Sequence, residues 1–142
     1  MKERIPVWLV LAAVLLLLAS VAIGQQPAVR PVASVKQLMQ AMVIPASNNL
    51  FTVARQTPKD DNEWAAVQNS AVILAESGNL LMIGSRAQNT AVWVQTSQAR
   101  VEAGAIALKA AEAKDTDPIT EAGNQIIEAC ETCHETHWAR SR

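Results

Sequence analysis

Apolar positions along this chain recur at spacings of three and four, over four stretches separated by short polar or proline-containing breaks. That is the period of a helix with one buried face, and no stretch alternates with the two-residue period of a strand. In the first stretch Val35, Leu38 and Met42 share a stripe, with Met39, Val43, Ala46 and Leu50 beside it. In the second, Trp64, Val67, Ala71, Leu74 and Leu81 line one face, and Gly78 falls among them. Glycine weakens a helix, so its presence there suggests close approach by a neighbour or a cofactor. The third stretch, from about Asn89 to Lys114, is rich in alanine, which suits close helix contact; Val94, Val101, Ala105 and Leu108 are its expected inward residues. The fourth carries Ile119, Ala122, Ile126, Cys130, Cys133 and His134 on one face and ends near Trp138.

The breaks carry helix-end chemistry. Ser34-Val35-Lys36-Gln37 fits a capping box, in which hydroxyl and side-chain amide satisfy free backbone N–H groups. Pro45 should kink or locally break the first helix, because it lacks an N–H and clashes with the preceding turn. Gln56-Thr57-Pro58 marks a loop, and Asp60-Asp61-Asn62-Glu63 caps the second helix with acidic charge at its positive end. Gly84-Ser85 closes that helix. Asp117 is the expected N-cap of the fourth, with Pro118 as its first residue. Four helices of similar length with short connections predict an all-α, antiparallel up-down-up-down four-helix bundle over residues 34–142.

Ahead of it, Lys2 and Arg4 precede an apolar run from Val7 to Ile23, the pattern of a secretory signal. Residues 1–24 are therefore read as a signal peptide cleaved after Gly24 (or after Ala22), or as an N-terminal membrane anchor if uncleaved. Residues 25–33, with Pro27 and Pro31, read as an extended linker. Either outcome places the domain outside the cytoplasm, because the positive flank stays inside. Loss of Lys2, Glu3 and Arg4 with the signal leaves 10 basic against 12 acidic residues, and no basic cluster argues for nucleic acid.

The most specific chemistry lies near the C-terminus. Cys130-Glu131-Thr132-Cys133-His134 is C-x-x-C-H, the attachment signature of haem c, and holds both cysteines of the chain. The two thiols would form thioethers to the porphyrin and His134 would be an axial iron ligand. On a helix all three address one face. A redox dithiol would expect a βαβ context, and structural zinc draws its ligands from two separated segments, whereas every candidate here lies between Cys130 and His137. In bacteria covalent haem attachment takes place outside the cytoplasm, so the two ends of the chain agree on a periplasmic location.

No methionine follows the motif, so a second axial ligand must come from upstream or be absent. The domain offers Met39, Met42 and Met82. In an up-down-up-down bundle the end of the fourth helix lies beside the start of the first. Met39 and His134 then both fall roughly 7–8 Å from that end, at 1.5 Å per residue. Met42 lies a turn further along and is the alternative, and Met82 is at the same end. Trp93, near the start of the third helix, is placed to wall the pocket. Trp138 is placed to cover the proximal side, Trp64 is core at the opposite end, and His137 is a surface or haem-edge residue.

The motif on the last helix of a secreted four-helix chain resembles the class II cytochromes c, which comprise cytochrome c′ and the low-spin cytochrome c-556 type. The resemblance spans Ser34 to Trp138. It implies that Cys130 and Cys133 hold the haem and that His134 binds iron. Leu38-Met39-Gln40-Ala41-Met42 resembles the subgroup that fills the sixth site with a first-helix methionine. The positions three and four after the motif histidine, an aromatic and a basic residue in cytochrome c′, are His137 and Trp138 here. The expected function is a one-electron carrier with a His/Met-ligated haem, exchanging electrons with redox partner proteins. The alternatives are a five-coordinate NO- or CO-binding protein and a haem subunit of a larger oxidoreductase. No nucleophile–base pair in the sequence argues for an independent enzyme. Bundles of this sort often pair through helix faces, which leaves a homodimer open.

Overall fold

The structure is a computed structural model that describes residues 29–138 together with Trp8. The remainder of the expected signal segment, linker positions 25–28 and residues 139–142 lie outside the described residues. Every regular element among the described residues is helical. A short helix α1 (Val35–Leu38) runs through a π-helical turn (Met39–Val43) into α2 (Ile44–Val53). Then come α3 (Asp61–Leu81), a 3-10 turn (Gly84–Arg86), α4 (Ala91–Glu112) and α5 (Thr116–His137). The α1–α2 rod, α3, α4 and α5 pack as four helices: α2 against α3 and α5, α3 against α4, and α4 against α5.

Consecutive helices run antiparallel. The start of α3 meets the residue just past α4, where Lys114 Nζ donates to Asp61 Oδ1 at 2.6 Å. At the other end the Thr90 hydroxyl, which caps α4, lies 3.3 Å from His137 Nε2 at the end of α5. The main apolar core includes Leu50, Val67, Leu74, Ile119 and Ile126. A second group, Leu38, Leu81 and Trp93, closes the end where α1 begins and α5 finishes. Trp64 is buried in the main core, as its place near the start of α3, at the opposite end of the bundle from the motif, implies.

Local chemistry sets most helix starts. Ser34 and Gln37 form the expected reciprocal box: Gln37 N–H donates to Ser34 Oγ, and Ser34 N–H to Gln37 Oε1. Asp60 caps α3 by accepting from Glu63 N–H at 2.9 Å, and the Glu63 carboxylate accepts from Lys59 N–H. The cap of α5 differs from expectation. Asp115, not Asp117, is the N-cap, accepting from Asp117 N–H, and Pro118 lies inside the first turn. Either aspartate satisfies free N–H groups, and the earlier one adds helical residues ahead of the proline, where no N–H partner is needed.

The inward face of α4 is also corrected. Val94 is 40% exposed and Ala105 is exposed, while Val101 and Leu108 are half-buried. The buried face is Trp93, Thr96, Ser97, Arg100, Ala103, Gly104, Ala107, Ala110 and Ala111. Backbone proximity explains the exchange. A Cβ on Gly104 would stand 2.6 Å from the Ala75 backbone nitrogen, and one on Gly78 2.6 Å from the Ser97 carbonyl oxygen. At that separation small residues fill the interface and larger aliphatics are turned aside. Gly78 is thus explained by a neighbouring helix.

Candidate functional site

The first helix reaches the site through a π turn. Ile44 N–H bonds back five residues to the Met39 carbonyl, and Pro45, the next residue, has no N–H to offer. The break expected at Pro45 therefore takes the form of a widened turn that lets the helix continue. Such turns reorient the side chains they contain and recur at functional sites. Met39 and Met42 both lie within it, half-buried.

From α5 come Cys130 and Cys133, both free thiols and both half-buried. Cys130 packs against the main core, and Cys133 against the Leu38–Leu81–Trp93 group. Met39 packs against both groups, whereas Met42 packs against the second alone. The structure therefore brings the first-helix methionines and the motif cysteines to one end of the bundle. Met82 caps the end of α3, its N–H donating to the Asn79 carbonyl, and is half-buried.

Trp93 is buried and its indole N–H donates to the Leu81 carbonyl at 3.0 Å, which locks the ring between α3 and α4. His137 meets it edge-on with ring centroids 5.2 Å apart. His134 stands apart from these residues. It lies on the exposed side of α5, edge-on to Trp138 with ring centroids 5.0 Å apart. Partial burial, and then the positive charge of Arg100, lower its pKa from 6.5, so the imidazole is neutral at pH 7 with a lone pair to donate.

Arg100 escaped the sequence reading. It is 2% exposed, and its Nη2 points to Cys130 Sγ at 3.6 Å. Its Nε and Nη1 have no hydrogen-bond partner among the described residues. An arginine four residues before Gly104 on the small-residue face of α4 was a usable signal, hidden by the choice of the wrong face. Arg86 is also buried, donating from Nη1 to the Ala33 carbonyl at 3.5 Å. Beside it Pro31 covers Gly84, whose φ of +59° suits glycine and whose Cβ position lies 2.5 Å from Pro31 Cγ. The segment before α1 is thereby strapped across the α3–α4 connection.

A hollow of about 300 Å³ between α4 and α5 is lined by Thr96, Glu102, Ala129 and Thr132, and by neither cysteine. Another, of about 250 Å³, lies at the opposite end near Asn49 and Pro58. Among the described residues no three His, Cys, Asp or Glu side chains converge to cage a metal ion. No described helix is long and apolar enough to cross a membrane.

Tested against a covalently held porphyrin, the donor set fits in part: the two thiols and Met39 share packing, whereas His134 stands on the exposed side of α5. Two free, half-buried sulfurs sit one turn apart on α5, a thioether on another helix shares their packing, and the buried guanidinium beside Cys130 has two nitrogens without a partner among the described residues. Comparison with protein-family models, with curated proteins and with solved structures found no match.

Proposed function

We propose that this chain is a c-type cytochrome of the class II kind, a periplasmic one-electron carrier with a single haem c on Cys130 and Cys133. The observation that carries the reading is the packing of Met39 against both apolar groups, the one that Cys130 touches and the one that Cys133 touches, at the end of the bundle where α5 finishes. The C-x-x-C-H spacing and the secretory pattern of residues 1–24 support it from the sequence.

When bound, the haem supplies reversible one-electron chemistry between iron(II) and iron(III). The side chains of this chain have separable tasks. Cys130 and Cys133 tether the porphyrin from one helix. His134, neutral at pH 7, offers an imidazole nitrogen as axial donor. Met39 offers a thioether from the opposite helix, with Met42 as the alternative, and a His/Met pair raises the reduction potential. Trp93, Leu38 and Leu81 make the surroundings apolar and keep water out.

An absorption spectrum of the purified protein with and without CO tests the proposal. The carrier should give low-spin bands that CO leaves unchanged. A high-spin spectrum with ready CO uptake would instead mark a five-coordinate gas-binding protein. Co-purification with a large oxidoreductase would assign the chain as its haem subunit.

A further inference from the structure

We infer that Arg100 sets the reduction potential of this site, as a buried, unpaired positive charge that favours iron(II) in the haem tethered at Cys130. The inference rests on the haem reading above and adds to it a residue outside the attachment motif.

Arg100 projects from the middle of α4 into the interface with α5 and is almost wholly buried. Its one hydrogen-bond contact is the long one from Nη2 to Cys130 Sγ, a weak acceptor, and Nε and Nη1 have no partner among the described residues. Among those residues no carboxylate pairs with it. Glu102 on α4 and Glu128 and Glu131 on α5 are exposed, and the ion pair seen is Lys114–Asp61. A guanidinium keeps its proton in a protein interior, so burial leaves the charge in place.

Two observations set that charge beside the attachment motif. It stands 3.6 Å from the Cys130 sulfur, and its field reaches the His134 imidazole, where it adds to burial in disfavouring the protonated ring. The thioether edge of a tethered porphyrin is also the edge away from its propionates, so the group's own carboxylates are not at hand to cancel the charge. Oxidation of iron(II) to iron(III) adds one positive charge. A fixed cation nearby raises the cost of that addition, and burial keeps water and salt from screening it. The reduced state is favoured, in the same direction as a His/Met ligand pair.

The test is a spectroelectrochemical titration of the haem-loaded protein. Arg100→Met and Arg100→Gln remove the charge and keep much of the stem; both should lower the midpoint potential and leave the absorption bands of the iron unchanged. Arg100→Lys keeps the charge and should stay close to wild type. Lys109→Met removes an exposed cation from the same helix and should also leave the potential where it was. If neither neutral variant accumulates with haem, Arg100→Lys decides: a potential that falls although the charge is kept overturns the proposal. So does an unchanged potential in a neutral variant, or a fall accompanied by altered ligand bands, which would mean that Arg100 acts by shaping the pocket. These outcomes leave the haem reading intact, whereas a wild-type chain isolated without haem would overturn both.

Discussion

Two thioethers stand within one turn of each other, and packing separates their roles. Met39 touches both the main core and the group at the site end, Met42 only the latter. If the proposed haem is bound, Met39→Ala should convert its iron to high spin, while Met42→Ala should leave it low spin, as read by absorption and electron paramagnetic resonance. The reverse pattern would assign the ligand to Met42. That Met39 and Cys133 share one packing group was legible from the sequence, because it needs only helix ends and rise per residue. Arg100 was not, because a charged residue on an alanine-rich helix is read as solvent-facing by default, and here the small residues and the charge share the buried face. A second residue-scale prediction concerns the far end. The Asp61 carboxyl is held below its ordinary 3.8 first by the hydrogen bond from Lys114 and then by its charge. A depressed folded-state value means that this contact stabilises the fold above the ordinary carboxylate range and is lost as pH falls through the lowered value. Lys114→Met should raise the Asp61 titration toward 3.8 in a carboxyl-carbon NMR titration; both groups are exposed, so the melting temperature at pH 7 should hardly move.

At the scale of elements, the helices themselves were legible, and their mutual rotation was only partly so. Periodicity and caps located α3 and the start of α1 closely, because the capping groups are local in sequence. The rotation of α4 is set by how near α3 comes, a tertiary quantity. That contact is open to test. Gly104→Ala would drive a Cβ into the Ala75 backbone at 2.6 Å, whereas a Cβ at Gly123 would meet Phe51 Cδ1 at an ordinary 3.4 Å. Overpacking against backbone costs about 1–3 kcal/mol and the helix propensity gained is about 1 kcal/mol. Urea denaturation should thus show Gly104→Ala destabilised by up to about 2 kcal/mol and Gly123→Ala neutral or stabilised by up to about 1 kcal/mol. Equal effects would mean that α3 and α4 are not in backbone contact. The π turn is the other element whose form was hidden. Pro45 signalled a break, and the Ile44-to-Met39 hydrogen bond shows how the chain absorbs it without stopping.

At the scale of the molecule, the two ends of the bundle differ in kind. The end near Asp61 and Lys114 is closed by an exposed ion pair and ordinary core. The other gathers Met39, Met42 and Cys133 around the small group of Leu38, Leu81 and Trp93, with Cys130 against the main core, His134 on the exposed side of α5 and Arg100 buried. A bundle brings the end of its last helix to the start of its first, so residues about ninety positions apart, such as Met39 and Cys133, share one packing group. The proposed haem reading rests on that juxtaposition. The most direct test is the intact mass of the protein exported by a bacterium able to attach haem to C-x-x-C-H chains. The account predicts the polypeptide mass plus one haem, with the increment lost when Cys130 and Cys133 are both replaced by alanine. A bare polypeptide, with its two sulfurs free or joined to each other, would contradict it.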